Sequence, residues 1–375
     1  MRRTTPTKLF GSLALLLVAL PCLVSAQGLV DARSALTSFP ESQAVLFINA
    51  RRIIHEALPR TMPPAEYDKL LAEPQKAGFD IRSLDYAVAG IRFADPAKPA
   101  GLPEVIVVIK GSFNADALLS MGRVALGTQK EIKSRQETYG SKTIEIIDTS
   151  FINKPTADGD APPKPTPYPE VAIMAYDANT LVAGVPAYVR ALIDSANGQG
   201  RLKASTVDLA AKDPNSLWSL TAEIPASLPE YVKGLGMPSN PEAEQMLTWL
   251  KQVSLSQGMD AVNFSLQAAL MLDSPEHASA LSGIVRMGLT AAQAALNAEV
   301  AKKTGKDGDE ARTALGVIKS LVNRTDGSTL ILSASVPQAT VAEMVRKEME
   351  KKEAKPTTAT KPTPRRRARR RGTRR

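Results

Sequence analysis

The feature that most limits the fold of this chain is an order of short apolar runs and amphipathic segments that occurs twice between residues 27 and 350. The apolar runs predict strands, and the segments with apolar residues at helical spacing predict helices. Near the end of each half, a turn, a strand, a short loop and a helix follow one another, at 177–193 and again at 326–345. This repetition predicts an α+β protein with two related halves.

The start of one helix in each half supports the same division. Phe113-Asn114 precedes a helical pattern at 117–124, and Asp273-Ser274 precedes another at 278–289. Asn and Ser are favoured N-caps of helices. We therefore predict a first half at 27–199 and a second at 200–350, each with the ferredoxin-like order β-α-β-β-α-β, antiparallel sheets and helices on one face. The proline-rich stretch at 153–169 predicts an exposed loop in the first half.

The first 26 residues have the three parts of a secretory signal peptide. A basic start is followed by an apolar run at 9–24, and Val24-Ser25-Ala26 supplies the small residues that signal peptidase requires before Gln27. The apolar run contains Pro21 and is shorter than the roughly 20 residues of a membrane-spanning helix. We predict cleavage and a periplasmic or secreted protein, with an uncleaved anchor as the alternative.

Cys22 is the one cysteine of the chain, so a cleaved protein would contain none. Disulfide-dependent secreted domains are usually small and rich in cysteine. The body must therefore be stabilised by its hydrophobic core, and a mature chain of this length is long enough to bury one.

Charge is divided unevenly along the chain. The net charge of +9 combines +3 in the leader and +11 at 351–375 with −5 in the body at 27–350. The prolines and threonines before the last residues predict a disordered basic tail at 351–375. Its arginines are predicted to contact an anionic envelope surface, namely phospholipid, lipopolysaccharide or an acidic polymer: Arg365, Arg366, Arg367, Arg369, Arg370, Arg371, Arg374 and Arg375. The alternative is a solubilising terminus without a specific partner.

The sequence contains no recognisable catalytic, cofactor or metal site. Its two histidines, His55 and His277, are far apart and are predicted to be a solvated residue and a surface residue in the first turn of a helix. Zinc would need several additional ligands that the spacing does not suggest. Trp218 and Trp249 are predicted to pack in the core. Glycine pairs and the acidic run at 307–310 lack the spacing of phosphate or calcium loops.

One stretch carries a resemblance to known proteins. The strand at 44–49 runs into Ala50-Arg51-Arg52-Ile53-Ile54, and a turn, Thr-Leu-Val, a proline and a helix follow at 177–194. This pattern resembles uncharacterised exported bacterial proteins built from repeated α+β halves, over most of residues 38–350. The resemblance implies export and the repeated fold, and it implies no activity.

These features favour an exported, non-enzymatic binding or scaffold module whose body presents a groove or a sheet face. The alternative is a secreted hydrolase with scattered carboxylates, which requires two acidic side chains in one pocket and a raised pKa for at least one. Specific nucleic-acid binding is not expected, because the body is acidic. Ligand and oligomeric state are not indicated.

Overall fold

A computed structural model of the chain describes residues 32–76, 78–93, 102–127, 132–149, 168–226, 241–302 and 305–354. The leader, most of the proline-rich loop and the arginines of the tail lie outside the described residues.

The described strands form one twelve-stranded sheet in which every neighbouring pair is antiparallel. They are β1 (Ala44–Ile48), β2 (Leu84–Arg92), β3 (Glu104–Gly111), β4 (Ser134–Tyr139), β5 (Lys142–Asp148), β6 (Glu170–Asp177), β7 (Thr180–Gly184), β8 (Ser216–Glu223), β9 (Leu250–Met259), β10 (Asn263–Leu272), β11 (Val322–Asp326) and β12 (Thr329–Pro337). Their order across the sheet is β11-β12-β10-β9-β8-β1-β2-β3-β7-β6-β5-β4.

The helices connect and cover these strands. They are α1 (Ala32–Thr37), α2 (50–61), α3 (Pro64–Lys76), α4 (Ala115–Gly127), α5 (Pro186–Ala196), α6 (Ala204–Ala210), α7 (Pro241–Trp249), α8 (Pro275–Lys302), α9 (Gly305–Lys319) and α10 (Gln338–Ala354). Helix α2 contains a π-helical turn, Ile53–Ala57, between two short α-helical pieces. A 3₁₀ turn, Ile81–Ser83, leads into β2.

Local sequence signals account for several helix boundaries. The side-chain oxygen of Asn114 accepts a hydrogen bond from the Ala117 amide at 2.9 Å, and that of Ser274 accepts one from the His277 amide at 3.2 Å. Pro186 begins α5, where its missing N–H is not needed. At the other end of α5, Asn197 is followed by Gly198, whose φ of +97° is readily adopted only by glycine.

The strand order is the same in the two halves. From the centre outward the first half has β1-β2-β3-β7-β6 and the second has β8-β9-β10-β12-β11. The halves join where β1 pairs with β8, with Leu46 opposite Leu220. The hairpin β4–β5 extends the first half beyond this common order.

The predicted α+β class with an antiparallel sheet and helices is confirmed, but the structure does not show two ferredoxin-like halves. Strands β1, β2 and β3 lie side by side, and one sheet runs through both halves. The helical connection at 50–83 returns the chain to the adjacent antiparallel strand, whereas each helical crossover of a ferredoxin-like unit leads to a parallel strand with another strand between the two. Helices also lie on both faces of the sheet, and not on one face as predicted.

Apolar spacing in the sequence also predicts a helix over 310–322, and Pro59 predicts the end of another, but the structure differs from both predictions. The chain at Val322 begins strand β11 and does not continue the preceding helix. Pro59 does not end α2, because it stands in the first turn of the last helical piece, where no amide hydrogen bond is required.

The main core lies on one face of the sheet, here called the covered face. Val45, Phe47, Val88 and Ile106 are at most 1% exposed there. Helices α5 and α6 pack over them, together with α1, and contribute the buried side chains Tyr188, Val189, Leu192, Val207, Ala210 and Leu36.

Candidate apolar binding site

The opposite face of the central strands, here called the open face, is also apolar. An antiparallel sheet with one solvated face usually alternates apolar and polar residues along each strand. The five central residues of β3 are instead all apolar: Val105, Ile106, Val107, Val108 and Ile109. Such continuous apolar runs are typical of strands that are covered on both faces.

The strand register gathers these open-face side chains into rows across the sheet. The central row contains one apolar residue from each of nine adjacent strands: Ile173, Ala183, Val107, Ala89, Leu46, Leu220, Leu255, Ala268 and Leu332. One flanking row contains Val105, Ile91, Ala44, Ala222, Val253 and Leu270. The other contains Leu181, Ile109, Ala87, Ile48, Trp218, Gln257 and Leu266.

Gln257 is the one polar residue in these three rows, and none of their residues is charged. Its side-chain oxygen accepts a hydrogen bond from the Trp218 indole N–H at 2.7 Å. The rows therefore form an uncharged surface with a single side-chain amide, and the oxygen of that amide is already hydrogen-bonded to Trp218.

Solvent reaches the central row and the row of Val105 and Ile91, in contrast to the covered face. In the remaining row Ala87 and Gln257 are buried, and Ile48 and Trp218 pack against the cluster that contains Ile53, Ala57 and Leu58 of α2. Leu46, Val107, Leu220 and Leu255 keep part of their surface exposed and belong to none of the hydrophobic clusters formed around buried residues. Ile91 is 37% exposed. We call the open-face side chains of β7, β3, β2, β1, β8 and β9 in the three rows the apolar floor.

Helix α4 lies at one side of the apolar floor. Its Arg123 Nε is 3.1 Å from Glu145 Oε2 on β5, and Glu145 is paired with Ile173 of the central row. Glu145 is buried, and burial raises the pKa of its carboxyl. Hydrogen bonds from Ser134, Gln136 and Arg123 outweigh burial and lower that pKa below its usual value. The buried carboxylate thus attaches α4 to the sheet in its charged form.

Helix α8 lies at the opposite side. Ala278, Leu281 and Val285 pack in one cluster with open-face side chains of β10 and β12, namely Leu270, Leu330 and Leu332. Ser282 and Asn323 of β11 exchange two hydrogen bonds, of 2.9 and 3.0 Å. The helix that follows the third strand of each half therefore covers the outer strands and leaves the central ones open.

The size of the apolar floor follows from sheet geometry. Its six strands are about 4.8 Å apart, so the floor is about 24 Å wide between the outermost strands. Its three rows extend over about 14 Å along the strands, and the two rows that α2 does not cover extend over about 7 Å. The floor is therefore long enough for a small hydrophobic ligand or for a hydrocarbon chain.

The histidines and tryptophans singled out in the sequence do not form a common site. His55 is exposed, and its Nε2 is 2.9 Å from the Arg82 carbonyl oxygen. His277 stacks on Trp249 at 4.1 Å between ring centroids, and its Nδ1 is 2.6 Å from Asp273 Oδ1. That contact lowers the pKa of the Asp273 carboxyl.

Two cavities adjoin one another between α9 and α10, with volumes of about 260 and about 490 Å³. Both are bordered by Thr313, Val317 and Glu343, and Glu343 forms an ion pair with Lys347 at 2.8 Å.

Among the described residues, every carboxyl group whose pKa is shifted has a pKa below its usual value: Asp80, Glu137, Glu145, Glu170, Asp260 and Asp273. The raised pKa required by the hydrolase alternative is not found among these groups.

No group of three or more histidines, cysteines or acids suited to a metal ion occurs among the described residues. None of the helices in the described ranges is long and apolar enough to cross a membrane.

Comparisons with known proteins add little to this geometry. No protein-family model and no curated protein matches the chain. Crystal form IV of TP0453 is similar at 10% identity and a TM-score of 0.41, over 84% of this chain and 98% of that one. Crystal form III is similar at 8% identity and a TM-score of 0.39, over 86% and 99%. Likenesses at this level do not identify a fold family or a function.

Sequence reasoning missed the apolar floor, although one signal for it was present. The runs 44–48 and 105–109 lack polar alternation, which indicates burial on both faces. The predicted tail contacts, Arg365 to Arg375, lie outside the described residues.

Proposed function

We propose that this protein is an exported, non-enzymatic binding module and that the apolar floor is its ligand-binding surface. The observation that carries the proposal is an uncharged apolar surface across six central strands, partly exposed to water on a sheet whose other face is already covered by helices. Contiguous apolar patches of this kind usually mark binding sites.

The energetic reason is the cost of leaving such a surface in water. Burial of apolar surface contributes about 25 cal/mol per Å², and full burial of one leucine contributes roughly 1.5–3 kcal/mol. A ligand that covers Leu46, Leu220 and Leu255 together removes several such side chains from water. The floor is therefore suited to an apolar ligand, and it offers no group for acid–base chemistry.

The two ends of the chain support the cellular part of the proposal. The leader predicts export, and the basic tail predicts attachment to an anionic envelope surface, while the body itself is acidic at −5. Each arginine held at an anionic membrane contributes on the order of 1 kcal/mol. In this proposal the tail supplies attachment and the floor supplies ligand binding.

The floor is tested with Nile red, a neutral dye that becomes fluorescent in apolar surroundings. We expect the mature protein to enhance its emission and the double variant Leu46→Gln/Leu220→Gln to lose most of that enhancement. The control is Val262→Gln/Val322→Gln, which removes two side chains that are 63% and 55% exposed away from the floor. Equal loss in both double variants, or no enhancement by the mature protein, would refute the proposal.

The tail is tested separately with vesicles of phosphatidylglycerol. Deletion of residues 355–375 is expected to abolish vesicle binding that weakens with added salt. Binding that survives the deletion unchanged would reject attachment through the tail.

A further inference from the structure

We infer that this protein forms an antiparallel dimer through the exposed side of α8, the long helix Pro275–Lys302. The partner that this surface fits is a second copy of the same chain. The surface is separate from the apolar floor, and dimerisation does not depend on ligand binding there.

One side of α8 already packs within the chain. Ala278 and Ser282 are buried, and Leu281 and Val285 pack with side chains of β10 and β12. Helix α9 also packs along α8. The opposite side, here called the outer face of α8, is therefore turned away from the sheet.

The outer face carries six exposed apolar residues at alternating steps of four and three positions. They are Ala280, Ile284, Met287, Ala291, Ala294 and Ala298. Ile284 is 40% and Met287 is 67% exposed, so the face includes large side chains that water surrounds. Steps of four and three place all six residues on one side of a helix, and they are the spacing of the positions that pack against a second helix in a coiled coil.

A second helix can approach this face closely. A Cβ atom added at Gly283 or at Gly288 would meet no other atom within 4 Å. The small side chains of glycine and alanine permit the shorter of the usual interaxial distances, about 8 Å.

The charges at the two ends of the outer face select the partner. Glu276 lies at its start and Lys302 at its end, both are exposed, and none of the six residues between them is charged. Within the described ranges neither end residue has an ion-pair partner. In an antiparallel pair of identical helices, Glu276 lies opposite Lys302 of the partner subunit, so two ion pairs form. A parallel pair would place like charges opposite each other, which is unfavourable.

Side-chain volume favours the same arrangement. Pairing of the charged ends places the two-fold axis at Leu289, the midpoint of the face. Ile284 then lies opposite Ala294 of the partner subunit. Met287 lies opposite Ala291 of the partner subunit. Each large side chain thus meets an alanine, as the interlocking packing of two helices requires.

The size of the outer face determines how strong the dimer is. The helix from Glu276 to Lys302 is about 39 Å long and about 10 Å wide, so each copy offers about 400 Å². The total of about 800 Å² is below the roughly 1,200–2,000 Å² of stable complexes. We therefore expect a reversible dimer that forms at about 100 μM protein and dissociates at about 1 μM.

Sedimentation velocity of the mature protein over this concentration range is the first test. Met287→Glu/Ala291→Glu places glutamates opposite each other across the axis and should leave only monomer at about 100 μM. The matched control is Ala117→Glu/Met121→Glu in α4, which changes an exposed alanine and an exposed methionine that are also four positions apart. The control should dimerise like the unaltered protein.

Charge reversal tests the identity and the orientation of the partner. Glu276→Lys and Lys302→Glu should each weaken the dimer about tenfold, because each places like charges opposite each other twice per dimer. Each reversal also opposes the dipole of α8, and these two effects on the helix add. The double variant Glu276→Lys/Lys302→Glu should nevertheless restore the dimer, because it rebuilds the ion pairs.

Single cysteines test the position of the axis. The chain from Gln27 onward contains no cysteine. Gly288→Cys lies beside the axis and should give a disulfide-linked dimer under mild oxidation. In Ala280→Cys the two thiols would be about 27 Å apart along the helices, so no link should form. A parallel pair would link both variants.

Three results would overturn the inference. The first is a monomer at about 100 μM of the unaltered protein. The second is a dimer that persists in Met287→Glu/Ala291→Glu, because another surface would then form it. The third is a double reversal that dimerises no better than either single reversal. If circular dichroism shows that a charge variant is unfolded, the two cysteine variants decide, and equal linking of both rejects the antiparallel dimer.

Discussion

At the scale of single residues, Gly90 on β2 shows how closely the covered face is packed. A Cβ atom at this position would lie 2.5 Å from Phe39 Cε1 and 2.9 Å from Tyr188 Oη. Phe39 and Tyr188 are both buried, so neither ring has free space to move into.

Gly90→Ala is therefore expected to lower the free energy of unfolding by about 1–3 kcal/mol, because overpacking displaces neighbouring side chains. Gly283→Ala in α8 is the control, since no atom lies within 4 Å of its new Cβ. That change should raise stability by up to about 1 kcal/mol, because alanine favours a helix. Urea unfolding measures both. A neutral Gly90→Ala would show that the covered face is loosely packed.

Tyr188 makes a second residue-scale prediction, which concerns alkaline pH. Burial raises the pKa of its phenol from 10.0 to about 12, although a hydrogen bond with Ser42 and the charge of Arg92 lower it in part. The folded protein holds this proton more tightly than the unfolded chain. The resulting stability is complete below pH 10.0 and is lost as pH rises towards about 12.

Tyr188→Phe should therefore show a shallower fall in the free energy of unfolding between pH 10 and about 12 than the unaltered protein. The fall should persist in part, because burial also raises the pKa of Tyr86 and Tyr176. Unfolding by urea at several alkaline pH values provides the measurement, and identical slopes for the two proteins would contradict the prediction.

At the scale of elements, β3 separates the two faces of the sheet within one strand. Val108 points to the covered face and is 8% exposed, whereas Val107 points to the open face and retains more exposure. The two residues are adjacent in the chain and are both valine, so the same substitution at each position compares the two faces directly.

Val108→Ala should cost about 2 kcal/mol of stability, from lost apolar burial and the cavity left behind. Val107→Ala should cost less than about 1 kcal/mol without ligand, because its side chain is only partly removed from water. A saturating apolar ligand should increase the loss of stability caused by Val107→Ala and leave the loss caused by Val108→Ala unchanged. Equal costs in the absence of ligand would indicate that the open face is covered by the protein itself.

Local signals predicted most elements but missed β11 and α6. Apolar periodicity, N-caps and turn residues act over a few residues, so strands such as β3 and helices such as α5 could be inferred from the chain alone. Strand β11 reads Val-Asn-Arg-Thr-Asp, and it has little apolar content because it is near the sheet edge and largely exposed. Pairing with β12 makes it a strand, and that pairing is not a local property.

At the scale of the whole molecule, the continuous sheet predicts that both halves unfold together. Strands β1 and β8 join the halves through five residue pairs, so neither half has a free central edge. Loss of one half would expose the paired edge of the other to water.

Unfolding is therefore expected as one transition by far-ultraviolet circular dichroism and by tryptophan fluorescence. The two tryptophans, Trp218 and Trp249, both lie in the second half. Val108→Ala in the first half should shift the fluorescence transition as much as the circular dichroism transition. A shift seen only by circular dichroism would show that the halves are independent.

By itself the sequence determined the α+β fold class, the positions of most helices and strands, and the separation of a basic tail from an acidic body. These depend on spacing and composition within short stretches of chain. The export and the surface contacts expected from the two ends stay predictions.

Only the tertiary structure decided which strands are neighbours, and with that the candidate site. Leu46 and Leu220 are 174 positions apart in the sequence and directly opposite each other in the sheet. Register between such distant strands is set by the packing of the covered face, since a slip of one residue would move Val45 and Phe47 out of the core. That constraint collects the remaining apolar side chains on the second face, which no local pattern could reveal as one surface.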